Sequence, residues 1–151
     1  MTLDLPVPPS LMATYYVVPL KGTDPKRLER CHYYDYQWNL LKDPVLDSCT
    51  AGYQTDFVQI VQAAMPALQS RGIDTSEVDP SLTLFAAVAK TLQGTMLMPN
   101  LLNAADGAVV VPVVDGTRRG LILVFSRTTA GILSDLVATA DPEIKNSTNG
   151  D

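Results

Sequence analysis

The segment "GAVVVPVVDGTRRGLILVFS" (107–126) constrains the fold more than any other in the chain. Two apolar, β-branched runs flank the polar break "DGTRRG", the pattern of a β-hairpin with a loop longer than the tight two-residue type. Neither run alternates, the pattern of strands that can be covered on both faces. Pro112 lacks a backbone donor, which places the first run at an edge or a bulge. Runs of this kind are compatible with a sheet that has protein on both sides. "TYYVVPL" (14–20) is rich in aromatic and β-branched residues and supplies a further strand.

The remaining patterned segments read as helices. Asp24 and Pro25 are suited to the cap and first turn of a helix that Asp43-Pro44 ends. Phe57, Ile60, Val61, Ala64 and Leu68 share one face of a second helix, which Thr55 caps, Pro66 kinks and Gly72 closes. "DPSLTLFAAVAKTLQG" (79–94) starts on the same Asp-Pro pair and is apolar on nearly every side, the mark of a central helix. "TTAGILSDLVATA" (128–140) turns Ile132, Leu133, Leu136 and Val137 inward on a last short helix. The predicted fold class is therefore α+β: a single domain with three to four helices packed on a small, mainly antiparallel sheet with a late β-hairpin. Residues 1–13 read as an extended arm, 14–140 as the globular domain and 141–151 as a polar tail.

With 151 residues, 46% of them hydrophobic and 18% charged, the chain has the size and composition of one globular domain. Its net charge is −5. An acidic chain lacks the cationic field that nucleic acid or an anionic membrane requires, so neither is an expected partner. The longest apolar region (82–105) is interrupted by Lys90, Gln93, Gly94, Pro99 and Asn100, which argues against a membrane span. The start "MTLDLPVPPSLMATYY" has neither the basic nor the continuous apolar region of a signal peptide.

The stretch "CHYYDYQWNLLKDPVLDSC" (31–49) gathers both cysteines, the one histidine, the one tryptophan and three of the six tyrosines. On a helix, Cys31, Tyr34, Trp38 and Leu41 form an apolar stripe, and His32, Asp35 and Asn39 a polar one. Tyr33, Tyr36 and Leu40 form a third stripe. Three chemistries compete for this stretch. A cysteine hydrolase would use Cys49 with His32 as base and Asp35 as orienter. Cys31 and His32 diverge by about 100° on a helix and do not pair, and no cysteine-hydrolase motif surrounds Cys49. A disulfide between Cys31 and Cys49 is within reach: about 16 Å of helix is followed by up to about 23 Å of extended chain. Such a bridge implies a periplasmic or secreted protein; two buried thiols imply a cytoplasmic one. The third chemistry is recognition, with Tyr33, Tyr36 and Leu40 as anchors. In the competing reading the N-terminal arm or the 44–54 loop covers them.

Arg118 and Arg119 in the hairpin loop are candidates to hold an anion, against an ordinary solvated turn. Between residues 43 and 89 the charges are Asp43, Asp47, Asp56, Asp74, Glu77 and Asp79 against Arg71 alone. This asymmetry suits attraction to a basic protein face. No metal-ligand spacing and no phosphate-cradling glycine loop is present, so no metal or cofactor is expected. The preferred function is a non-catalytic protein-binding domain, such as a small acidic inhibitor or immunity-type protein or an accessory subunit of a secretion or other assembly. Its expected contacts are Tyr33, Tyr36, Leu40, Asp43 and Asp47, and a homo-oligomer is compatible with it. The alternatives are the cysteine hydrolase and an anion-binding domain using Arg118 and Arg119.

Overall fold

The computed structural model describes residues 12–22, 31–43, 45–47, 49–50, 53–54, 57–93, 100–113, 118–139 and 142–145. Of these, 63% lie in strands and 6% in one short helix. In chain order the elements are β1 (Met12–Pro19), β2 (Cys31–Tyr34), β3 (Val45–Asp47), β4 (Cys49–Thr50), β5 (Tyr53–Gln54), β6 (Phe57–Gln62) and α1 (Met65–Ser70). They continue with β7 (Leu82–Gln93), β8 (Asn100–Asn103), β9 (Ala108–Pro112), β10 (Arg118–Thr129), β11 (Ile132–Ala138) and β12 (Glu143–Lys145). The expected α+β fold with three to four helices is thus replaced by a mostly-β fold built on two mixed sheets.

One sheet has four strands in the order β2-β1-β6-β9, with β1 and β6 parallel and the other pairs antiparallel. The other has six strands, β3-β12-β10-β7-β8, with β11 also on β10. β11 and β12 share one side of β10, along Val124–Thr129 and Arg118–Gly120 respectively. Between them Thr139 continues the ladder: its N–H donates to Leu123 O, and its Oγ1 accepts from Leu123 N–H. β4 and β5 form a separate two-stranded ribbon.

The two sheets face each other across one core. Val17, Val58, Ile60 and Val109 come from the four-stranded sheet, and Leu84, Leu123, Phe125 and Ile144 from the six-stranded one. A smaller cluster covers the opposite side of the four-stranded sheet, where Val18, Leu20 and Tyr34 meet Leu68 and Val78. β1 is therefore buried on both faces, which is why its sequence does not alternate.

Each expected helix fails for a local reason. β7 replaces the helix read over 79–94. Its register pairs Phe125 with Leu84 and Val124 with Ala86, which leaves Phe85 as an extra residue. This bulge shifts the alternation by one, so Leu82 and Leu84 enter the core before it, and Ala87 and Ala89 after it. The period of two is hidden across the run. In the second region β6 occupies the first half, and α1 starts only at Met65, with Pro66 in its first turn, where the missing donor costs nothing. The helix does end at Gly72 (φ +72), where Ile73 N–H donates to Leu68 O and Gly72 N–H to Gln69 O in a Schellman closure.

Of the helix expected over 24–42, residues 23–30 lie outside the described residues, and Cys31–Tyr34 are strand β2. The last expected helix is instead the hairpin β10–β11. Ala130 and Gly131 both take positive φ (+53° and +78°) between paired Thr129 and Ile132, a type I′ geometry. The late hairpin expected over 107–126 is also corrected. Both runs are strands, but β9 pairs with β6 and β10 with β7, in opposite sheets. Residues 114–117, between them, lie outside the described residues.

Candidate functional site

The residues of the 31–49 stretch are divided by strand geometry, not by helix stripes. β2 pairs Val17 with Tyr33, Tyr16 with Tyr34 and Val18 with His32. Tyr33 shares the inward face of Val17 and is only 3% exposed. Tyr34 and His32 turn to the opposite side of the sheet. Tyr36 and Leu40, at 54% and 53%, stand in solvent on the loop that follows. Alternation along a strand thus separates Tyr33 from the two residues that a helix would place beside it.

Asp35 organises that loop. Its Oδ1 accepts from the N–H groups of Gln37 and Asn39, both at 2.9 Å, and its Oδ2 from Asn39 Nδ2 at 3.2 Å. Leu41 N–H donates to Tyr33 O, so the chain doubles back along the free side of β2. Trp38 takes a positive φ of 66°, an uncommon conformation for a bulky side chain that costs about 1–2 kcal/mol. The surroundings hold it there. Its ring stacks on Tyr16 at 4.0 Å and 14°, lies 6.0 Å from Tyr34, and carries the Arg71 guanidinium at 4.7 Å. Burial pushes the Tyr34 phenol up from its ordinary value. Strain held in place by packing marks this loop as a rigid platform that presents Tyr36 and Leu40 outward.

Beside the platform lies a cleft of about 200 Å³, lined by Val18, Leu20, His32, Tyr34, Asp74 and Glu77 among others. His32 meets Tyr34 edge-on at 6.4 Å. The N–H of Ser76 bonds the Asp74 carboxylate and holds it below the usual carboxylate range, with the Ser76 side chain adding to the effect. The structure therefore joins His32 to two carboxylates some forty residues away in sequence. Asp74 and Glu77 were visible only as part of an acidic run, and no sequence spacing linked them to His32.

The other expected site residues lie elsewhere. Asp43 is exposed just before β3. Asp47 is on β3 at the edge of the six-stranded sheet, where its carbonyl accepts the Tyr15 hydroxyl. Cys31 packs partly buried against the main core, and Cys49 lies in the β4–β5 ribbon. The two cysteines are not near each other, so the expected Cys31–Cys49 disulfide is not formed. The inference of an oxidising compartment that rested on the bridge falls with it. Its premise was a helix carrying Cys31, whereas the residue is on a strand in a different sheet from Cys49. Arg118 and Arg119 are both in β10. Arg118 is partly exposed and pairs with Glu143, while Arg119 is buried.

A second cleft, of about 330 Å³, runs between the start of α1 and the start of β7. At its side the Arg127 Nη1 donates to Asp79 Oδ2 at 3.0 Å and to Ser81 Oγ at 2.8 Å, and Ser81 Oγ donates to Asp79 Oδ1 at 2.6 Å. Burial pushes the Asp79 carboxyl up, but the Ser81 hydrogen bonds and the Arg127 charge outweigh it, so the group titrates below its ordinary value. This network locks the end of β10 to the turn before β7. On the outer face of the six-stranded sheet, Leu101, Val88 and Ile122 stand in one row across three strands. Among the described residues no helix is long and apolar enough to cross a membrane, and no cluster of three or more His, Cys, Asp or Glu side chains is arranged to hold a metal ion. No protein-family model, curated protein or solved structure matches the chain.

Proposed function

We propose that this is a protein-binding domain that acts by docking, not by turnover, and that it engages a partner with a basic face. The observation that carries the reading is the platform on β2: Tyr36 and Leu40 are presented by a strained, packed loop, next to a cleft bearing Asp74 and Glu77. Exposed aromatic and aliphatic anchors on a rigid support lose little entropy on binding. Adjacent carboxylates add selectivity for lysine or arginine side chains and speed the encounter. A small acidic inhibitor and an accessory subunit of an assembly both work in this way. The acidic balance of the chain supports the same partner chemistry.

Two double variants test it. Tyr36→Ala with Leu40→Ala removes the anchors, and Asp74→Asn with Glu77→Gln removes the charges. All four positions are exposed, so thermal stability is expected to change little. A partner captured with the wild-type chain and then purified is expected to bind the first variant at least about tenfold more weakly, by calorimetry. The second variant is expected to slow association and flatten its dependence on salt. A partner that binds both variants as tightly as wild type refutes the reading.

A further inference from the structure

The outer faces of the two sheets differ. That of the four-stranded sheet is covered around Tyr34 by Leu68 of α1 and by Val78. That of the six-stranded sheet is left open. Leu101 on β8 is 69% exposed, Leu136 on β11 58%, Phe85 on β7 48% and Ile122 on β10 37%. Strand register puts them on one surface. Leu101, Val88 and Ile122 form the first row. Val124 stands in the second, opposite Ala86 and Ala138, and Leu136 in the third, opposite Ser126. Phe85, the bulged residue of β7, falls between the second row and the third. None of the outward positions in these three rows is charged. Charge returns in the row at one end, where Lys90, Gly120 and Glu143 are aligned and Glu143 pairs with Arg118.

Single exposed leucines are ordinary on a protein surface, but a continuous apolar face is not. At about 200 Å² for a fully exposed side chain of this size, the four exposed residues offer roughly 400 Å² of mainly apolar surface. A standard interface takes about 800 Å² from each partner, a little over half of it apolar. The open face therefore supplies the apolar share of one standard interface. Its layout agrees, with an uncharged centre and charges of both signs at one rim. Charge also selects the occupant. The chain carries −5, so two copies repel each other wherever their carboxylates meet. The three uncharged rows let two copies approach with no carboxylate opposed at the centre.

We propose that the outer face of the six-stranded sheet is a dimer interface, and that its occupant is the same face of a second copy of this chain. A two-fold axis through the apolar rows sets Leu101, Phe85 and Leu136 of each copy against the other and keeps both charged end rows at the rim. The β2 platform lies beyond the other sheet, so the dimer displays two platforms that face away from each other. The interface stands or falls independently of what the platforms bind.

The test is sedimentation velocity on the full chain from about 1 to 100 μM. Standard-size interfaces have micromolar or tighter affinity, so the chain is expected to be dimeric at about 10 μM. Leu101→Glu with Leu136→Glu sets carboxylates against the apolar face and is expected to weaken the dimer at least about a hundredfold. Tyr36→Ala with Leu40→Ala is expected to leave it intact. A second measurement needs no variant to fold. The methyl signals of Leu101, Val88 and Ile122 are expected to shift or broaden with concentration, and those of Met12 and Val110, exposed on the other sheet, to stay still. A chain that remains monomeric up to about 100 μM overturns the proposal. So does a dimer that survives the glutamate variant, that the platform variant abolishes, or whose concentration-dependent signals lie on the four-stranded sheet.

Discussion

Gln62 makes two bonds that a backbone would otherwise make. Its Nε2 donates to Leu82 O and its Oε1 accepts from Leu84 N–H, both at 2.7 Å. One side chain from the four-stranded sheet thereby acts as a strand neighbour to the start of β7. Gln62→Leu keeps the volume and orphans both backbone groups, so a loss of about 2–3 kcal/mol is expected in urea unfolding. Asp79 gives a second expectation, set by pH. Its carboxyl titrates lower in the folded chain than in the unfolded one. Its stabilising contribution is therefore complete above the unfolded value, near pH 4, and is lost as pH falls through the lower folded value. Arg127→Met takes away the charge and the bond to Ser81. It is expected to cost about 2 kcal/mol at pH 7, and less as pH falls below about 4. A penalty that stays the same down to pH 2 contradicts this account.

Strand and turn chemistry decide how the elements form. The β10–β11 turn places alanine where a positive φ is required. Asn suits this position better, so Ala130→Asn is expected to raise stability by about 0.5–1 kcal/mol, read from the thermal midpoint. Legibility in the sequence follows the same logic. β1, β9 and β10 were readable because aromatic and β-branched residues crowd them. β7 was not, because the bulge at Phe85 shifts its phase and a phase-shifted strand resembles an all-apolar helix. β11 was not, because Ile132, Leu133, Leu136 and Val137 also fit helical spacing and Ala130-Gly131 is a weak turn signal. In the site, Tyr36 and Leu40 were named from sequence, on the mistaken ground of a helix. Asp74 and Glu77 come to line one cleft with His32 only through the pairing of β2 with β1 and the closure of α1 at Gly72. No local pattern encodes that juxtaposition.

For the whole molecule, stability comes from two sheets closed over one core, with no covalent cross-link between the cysteines. Intact mass and thermal midpoint are expected to be the same with and without dithiothreitol. A two-dalton increase in mass on reduction would reinstate the bridge. Assembly has its own constraint. β3 lies parallel to β12, and Leu46 and Ile144, paired in register, are both fully buried. About a hundred residues separate these partners. A ribosome adding about 5–20 residues per second delivers β12 some 5–20 s after β3. Among the described residues β12 is the only strand that β3 pairs with, so β3 can join the six-stranded sheet only after nearly all of these residues have been made.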